Sequence, residues 1–282
     1  MKRRVVVVML LLSYFAVILP FTAYLKNRPT VIKLGYLPEA VIIRAVSGDQ
    51  RYLIAESTIV KVLFYYGSLI DKLNDKVIIP PEYQNMFRTL ETAVKLDPYN
   101  KDPYYFAQAA FTWEVGHAAD VNKMLMYGMK YRTWDSELPF YISFNNAYFM
   151  KDFRNAAIFM KNAAEISGFP LYTSLAARYF YEAGIDELGI VFLDTMEKGA
   201  QDKQIKKIYQ LRKQALISVK TLREAMKKFK ASYRRMPTDL SELVASGTLK
   251  EIPTDPYGGR FYLAKGGMIR STSKFTLEGG SK

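Results

Sequence analysis

Carboxylate pairs occur in this sequence, and Glu182 and Asp186, four residues apart, are an example that could support acid and base chemistry. Two carboxyl groups that flank one sugar linkage can cleave it, one as the acid and the other as the base or nucleophile. The same spacing on an exposed helix is more typical of solvated side chains. We therefore expect a non-catalytic protein and keep a cell-wall glycan-acting enzyme as a less favoured alternative.

Residues for other kinds of catalysis are scarce. The chain of 282 residues has no cysteine, which excludes thiol catalysis, disulfides, thiolate metal sites and lipid attachment at an N-terminal cysteine. His117 is the only histidine, so no pair of imidazoles can bind zinc or iron, and we interpret it as structural. The sequence also lacks a glycine-rich phosphate loop after a strand, a Gly-x-Ser-x-Gly elbow and an HExxH motif. We predict neither a cofactor nor a metal.

An apolar run follows the N-terminal MKRR. It extends from Val5 to Leu25 without a charge and would be about 31 Å long as a helix, enough to cross a bilayer. A cleaved signal has a shorter apolar run and small residues at its cleavage site, whereas bulky Phe21 lies two residues before the candidate Ala23. We predict an uncleaved signal anchor over residues 1–28, with a cleaved signal as the alternative.

Basic residues flank this run on both sides, so the positive-inside rule orients it only weakly. The commoner arrangement for such an anchor is a short N-terminal tail with the following chain exported. We therefore expect a single-pass protein of a bacterial inner membrane, with most of the chain in the periplasm.

Segments of helical periodicity alternate with short breaks from Arg51 to Tyr209, and many of the breaks contain proline. We predict a domain of helical repeats over residues 29–200. Pro98 disfavours helical geometry at Asp97, and Pro103 suits the first turn of the next helix. Similar openings recur at Pro139 and Pro170, at intervals of 36 and 31 residues. No run of strand length competes convincingly before Pro253, so a mainly α fold is predicted.

The intervals bracket the 34-residue unit of the tetratricopeptide family, and the sequence resembles that family in several places. AVKLDPYN is similar to the end of such a repeat, with small Ala93 and closing Pro98. A second segment, KDFRNAAIFMKNA, is similar to the turn and second helix of a unit. The matching positions there and in the next unit are Asp152, Phe153, Ala156, Met160, Ala163, Ala177, Phe180, Gly184, Gly189 and Leu193. The resemblance implies an α-solenoid that binds proteins on its inner surface.

A partner-binding site follows from the register of these units. When Gly116, Lys151 and Gly184 are aligned as turn residues, the residues three positions earlier are Trp113, Tyr148 and Tyr181. In the geometry of the family this position points into the groove, where rigid rings favour protein binding. The neighbours expected beside them are Phe106, Glu114, Asn145, Phe149, Arg178 and Glu182. The alternative is a register error, which would make the three rings core residues.

Residues 201–235 concentrate the positive charge, with 12 Lys and Arg against 2 Asp and Glu. Apolar residues three or four positions apart predict a long amphipathic helix: Ile205, Ile208, Ala215, Val219, Leu222, Met226, Phe229 and Tyr233. Its basic face could be solvated on a helix packed against the repeats, or could contact anionic lipid. Nucleic acid is the least favoured partner, because no reader motif is present.

The last segment, 236–282, predicts a short helix and a β-hairpin, with turns at DPYGG and KGG. It resembles the globular part of type II secretion pseudopilins at Pro237, Thr238, Leu243, Gly247, Leu249, Ile252, Pro253, Asp255, Pro256, Tyr257 and Gly258. Some of those proteins bind calcium in a C-terminal loop, but Asp255 alone provides too few ligands. We expect it to cap the turn.

Together these features predict a scaffold anchored in the inner membrane, whose groove binds a protein or peptide of the cell envelope in a secretion, pilus or transport assembly. The alternative is a peripheral adaptor that binds the anionic membrane surface through residues 201–235.

Overall fold

A computed structural model describes residues 2–27, 33–71, 76–77, 82–113 and 116–275. The N-terminal run forms one helix, α1 (Lys2–Asn27), with Pro20 near its end. The 19 residues Val6–Tyr24 have a mean hydropathy of 2.4, so α1 is long and apolar enough to cross a membrane. Among the described residues α1 is the one helix with this length and composition, and it lies where the sequence predicts a membrane span.

The following region is helical, as predicted. Of the residues that the structure describes, 73% are in helices and 3% in strands. The helices of this region are α2 (Ala40–Ser47), α3 (Arg51–Leu69), α4 (Tyr83–Leu96), α5 (Asp102–Phe111), α6 (Ala118–Met129), α7 (Glu137–Asn145), α8 (Phe153–Ser167), α9 (Pro170–Ala183) and α10 (Asp186–Gly199). A 3₁₀ turn, Gly48–Gln50, joins α2 to α3, and a π-helical turn, Asn146–Met150, continues α7. From α3 to α10, each helix packs on the next one in the chain.

One detail departs from an all-helical reading of this region. Two strands of two residues each, β1 (Ile70–Asp71) and β2 (Lys76–Val77), pair antiparallel between α3 and α4. Strands this short carry no usable periodicity, which explains why the sequence does not reveal them.

The same backbone turn recurs at the three positions that were aligned as turn residues. Gly116, Lys151 and Gly184 have left-handed φ values of 71°, 55° and 70°. The next helices, α6, α8 and α10, begin two residues later, at intervals of 35 and 33 residues. In the second turn, Asp152 accepts a hydrogen bond of 3.0 Å from the backbone N–H of Asn155, which caps α8.

Small residues permit the close helix crossings. A Cβ added at Gly128 would lie 2.7 Å from the Tyr104 ring, and one at Gly189 would lie 2.8 Å from Phe180. The predicted packing positions Ala156, Met160 and Ala163 are all buried. These residues therefore set the approach of consecutive helices, because a larger side chain would push them apart.

The basic segment forms α11 (Lys203–Tyr233), close to the predicted bounds. After it come the short helix α12 (Ser241–Ala245) and a hairpin of the strands β3 (Phe261–Ala264) and β4 (Met268–Ser271). The two strands are antiparallel, with Phe261 opposite Ser271 and Ala264 opposite Met268. The predicted helix-plus-hairpin unit is thus present. It shares one hydrophobic core with α9, α10 and α11, in which Leu193, Leu222, Phe229, Leu243 and Ile269 pack together.

Candidate functional site

Four aromatic rings form a cluster on the surface of the helical region. This aromatic patch consists of Trp113, Phe144, Tyr148 and Phe149, whose ring centroids lie 4.9 to 6.1 Å apart. Trp113 is 55% exposed and Tyr148 is 52% exposed. Two of the three predicted stripe residues are therefore neighbours at the surface, with predicted Phe149 beside them.

Three elements bring these rings together. Trp113 follows the end of α5, Phe144 lies on α7, and Tyr148 and Phe149 belong to the π-helical turn. Phe144 and Tyr148, four residues apart, stack with an interplanar angle of 8°. Sequence reasoning missed Phe144, although its place one helical turn before Tyr148 was a usable signal.

A buried amide network supports the patch from below. Asn145 exchanges hydrogen bonds of 2.8 and 2.9 Å with Gln108 of α5, and donates one of 2.8 Å to Asn122 of α6. Asn145 is fully buried, so the expectation that it faces a partner in an open groove is wrong. Its amide is used to join α5, α6 and α7, since a buried amide needs hydrogen-bond partners within the protein.

Tyr181 is the other correction. It lies three residues before its turn, as Trp113 and Tyr148 do, yet it is 4% exposed. Its hydroxyl donates a hydrogen bond to the backbone carbonyl of Ile269 in β4, and its ring lies 4.9 Å from the Phe275 ring. The expected surface stripe of three rings is therefore wrong in its third member, because the C-terminal hairpin covers this face of α9.

The remaining predicted neighbours lie in different surroundings. Phe106 is half-buried and packs against Tyr66, at 5.5 Å between ring centroids, beside the core of α3 to α7. Glu114 lies outside the described residues. Arg178 is exposed and lines a separate cleft. The structure thus brings Trp113, Tyr148 and Phe149 together and does not place Phe106, Asn145 or Arg178 with them.

The carboxylates considered for acid and base chemistry do not share a helix. Glu182 is in the last turn of α9 and binds Arg270 at 2.6 and 3.0 Å, whereas Asp186 begins α10 and binds Arg223 at 2.6 Å. Burial raises the pKa of Asp186, and the Arg223 guanidinium opposes that rise. Both carboxylates therefore serve ion pairs that connect α9 and α10 to the C-terminal part of the fold.

Other polar residues have structural contacts. The Nδ1 atom of exposed His117 lies 3.2 Å from Asp120 at the start of α6. Asp255 accepts a hydrogen bond of 2.9 Å from the backbone N–H of Tyr257, so it caps its turn as expected. Within the described residues no three His, Asp or Glu side chains are grouped to hold a metal ion.

The basic face of α11 is in part neutralised by α10. Lys213 contacts Asp194 at 3.0 Å and Glu197 at 2.5 Å, and Arg223 binds Asp186 as above. Lys220 also lies 3.3 Å from Glu187. The helix therefore packs against α10 through charged as well as apolar contacts. Lys206, Lys207, Lys227 and Lys228 are exposed.

A cleft of about 390 Å³ lies between α9, α11 and the hairpin unit. We call it the basic cleft and define it by Arg178, Arg212, Tyr257, Arg270 and Lys274, with Tyr181 and Glu182 at its wall. Sequence reasoning assigned Arg178 to a groove and missed Arg212 and Tyr257, because these residues come from segments far apart in the chain.

Comparisons with known proteins add no assignment: no family model matches the chain, and no curated protein or solved structure is similar enough to count as a match.

Proposed function

We propose that this protein is a non-catalytic scaffold, anchored in a bacterial inner membrane by α1, that binds an apolar segment of an envelope protein at the aromatic patch. The observation that carries the proposal is the exposure of Trp113 and Tyr148 within a cluster of four touching rings. A tetratricopeptide-like solenoid with its bulk in the periplasm is part of the same proposal. The sequential packing of α4 to α10 supports it.

The physical argument concerns hydration and entropy. Exposed aromatic rings are costly to leave in water, and they supply contact area with few rotatable bonds when a partner covers them. Met150, 45% exposed, and the Lys151 ammonium group, 5.3 Å from the Tyr148 ring centroid, border the patch. We therefore expect the bound segment to carry an apolar or aromatic anchor with an acidic residue nearby.

Site-specific photocrosslinking tests this proposal in native membranes. The full-length chain would carry p-benzoyl-phenylalanine at position 148 or, as the control, at exposed position 154 on α8. We expect a discrete adduct with an envelope protein from position 148 alone, weakened at least fivefold by Trp113→Ala. Equal labelling from both positions, or labelling that ignores Trp113→Ala, would contradict the proposal.

The adaptor hypothesis rests on a different observation, the exposure of Lys206, Lys207, Lys227 and Lys228 on α11. Each cation near an anionic surface contributes on the order of 1 kcal/mol. If α11 holds the protein on lipid, protein lacking residues 1–28 will bind acidic liposomes and be released by high salt, which screens such contacts. The matched control replaces these four lysines with glutamine.

A further inference from the structure

The basic cleft has an unbalanced charge. Four cations line it, Arg178, Arg212, Arg270 and Lys274, against the single carboxylate of Glu182. Arg270 is already bound to Glu182 in a two-contact ion pair. Arg178, Arg212 and Lys274 have no carboxylate partner among the residues that the structure describes. Positive charge is therefore concentrated at one concave surface, where low-polarity walls strengthen its field.

Two residues that line this cleft also carry a buried, unsatisfied donor. Tyr257 is 7% exposed, yet its hydroxyl has no hydrogen-bond partner, and neither does the buried Nε atom of Arg212, within the described chain. Buried polar groups nearly always find partners, so each such case requires an explanation. A tyrosine hydroxyl is protonated at neutral pH, and burial raises the pKa of Tyr257 further, so this hydroxyl is a donor.

The walls of the cleft are apolar. Leu175, Leu216 and the Phe275 ring line it together with Tyr181 and Tyr262. Its volume of about 390 Å³ falls within the range of small-molecule sites, roughly 300 to 1,000 Å³. A bare inorganic ion would leave these apolar walls uncovered, whereas a neutral apolar molecule would leave the donors unsatisfied.

We infer that the basic cleft binds an organic anion, namely a carboxylate or phosphate group attached to a small apolar body, with Arg212 and Tyr257 donating to the anionic group. Arg178 and Lys274 add attraction at the mouth, and the leucines and rings cover the apolar body. A soluble metabolite or an anionic lipid headgroup could supply this chemistry. The site is separate from the aromatic patch, so it stands or falls independently of the proposed scaffold function.

Calorimetric titration of the full-length protein in phosphatidylcholine nanodiscs tests the inference. Phenyl phosphate is the probe, because it joins an anion to an apolar ring; inorganic phosphate and uncharged benzamide each lack one part. We expect saturable one-site binding of phenyl phosphate, at least fivefold tighter than either comparison compound. Empty nanodiscs give the background.

Two variants locate the site. Arg212→Gln and Tyr257→Phe should each weaken binding of phenyl phosphate about tenfold, the loss expected for one hydrogen bond to a charged group. Tyr257→Phe should leave the unfolding temperature of the free protein unchanged or raised, because its hydroxyl has no partner to lose. Arg154→Gln removes an exposed charge of α8 outside the cleft and should change nothing.

Nanodiscs with phosphatidylglycerol distinguish the two sources. If a lipid headgroup occupies the cleft, phosphatidylglycerol will compete with phenyl phosphate there, and Arg212→Gln will remove that competition. If the ligand is soluble, phenyl phosphate will bind equally well in both kinds of nanodisc. The absence of binding, or losses in Arg212→Gln and Tyr257→Phe no larger than in Arg154→Gln, would overturn the inference.

Discussion

At the scale of single residues, the three rings that precede the left-handed turns have two different environments. Trp113 and Tyr148 are exposed in the aromatic patch, whereas Tyr181 lies under the C-terminal hairpin. The three residues aligned as turn residues, Gly116, Lys151 and Gly184, do share a left-handed backbone conformation. The sequence could not identify Tyr181 as buried, because the atoms that cover it belong to residues about 90 positions later in the chain.

Tyr181→Phe should destabilise the fold by about 1 to 3 kcal/mol, because the buried carbonyl of Ile269 would lose its donor. Tyr148→Phe is the matched control: its hydroxyl is at an exposed position, and we expect a change within about 0.5 kcal/mol. Urea denaturation of both variants measures the difference. Equal stability of the two would show that the Tyr181 hydroxyl contributes nothing.

Glu242 gives a prediction about pH. The Arg235 guanidinium and the backbone N–H of Thr238, 2.7 Å away, lower the pKa of the Glu242 carboxyl to about 2 from its ordinary 4.5. The folded state therefore holds this proton less tightly than the unfolded state does. The resulting stabilisation is fully present above pH 4.5 and is lost as the pH falls from 4.5 to 2.

Glu242→Gln should remove this part of the acid sensitivity, because glutamine does not titrate. Denaturant unfolding of both proteins between pH 7 and pH 2 will reveal it as a stability difference that shrinks below pH 4.5. Other carboxyl groups titrate equally in both proteins, so only the difference between them is informative. Parallel curves across this range would contradict the assignment.

At the scale of elements, the helices follow from periodicity and from the residues that interrupt it. Asp97 has the extended backbone that Pro98 imposes, so α4 ends at Leu96, and α5 begins with Pro103 in its first turn. The π-helical turn Asn146–Met150 was not predictable, since it lies at the end of its helix and no later helical turns follow in which a shifted apolar pattern could be recognised. That turn holds half of the aromatic patch.

The turn between α9 and α10 allows a test of its backbone requirement. Gly184 has a φ of 70°. A Cβ added at this residue would lie 3.5 Å from the Arg223 Nη1 atom, which is an ordinary contact distance. Gly184→Ala should therefore cost about 1 to 2 kcal/mol through backbone strain alone. Gly199→Ala, at the end of α10 with open space around it, should be neutral or stabilising. Thermal unfolding will compare the two.

At the scale of the whole molecule, the C-terminal unit is an integrated part of the fold. The sequence predicted its short helix and hairpin from local turn motifs, which need only neighbouring residues. It did not predict that the hairpin packs on α9, because that contact depends on Tyr181, Glu182 and Arg270 meeting across the chain. The same packing creates the basic cleft, so the cleft also could not be found from local patterns.

The Glu182–Arg270 ion pair provides the test of this packing. Both side chains are largely buried, at 17% and 32% exposure, and they make two contacts. Glu182→Gln and Arg270→Gln should each lower stability by about 1 to 3 kcal/mol, because each leaves the other charge without its partner. The double variant should be less destabilised than the sum of the two, which a double-mutant cycle measures.

Hydrogen exchange then separates docking from general stability. If the hairpin is held on α9 by this pair, Arg270→Gln will speed exchange in β3, β4 and the last turn of α9 while leaving α5 to α7 protected, since distant core elements open independently. The matched control is Arg260→Gln, which removes a charge from the hairpin unit next to β3, where none of the described carboxylates is its ion-pair partner. Uniform loss of protection along the chain, or equal effects of the two arginine variants, would show that the pair does not hold the hairpin in place.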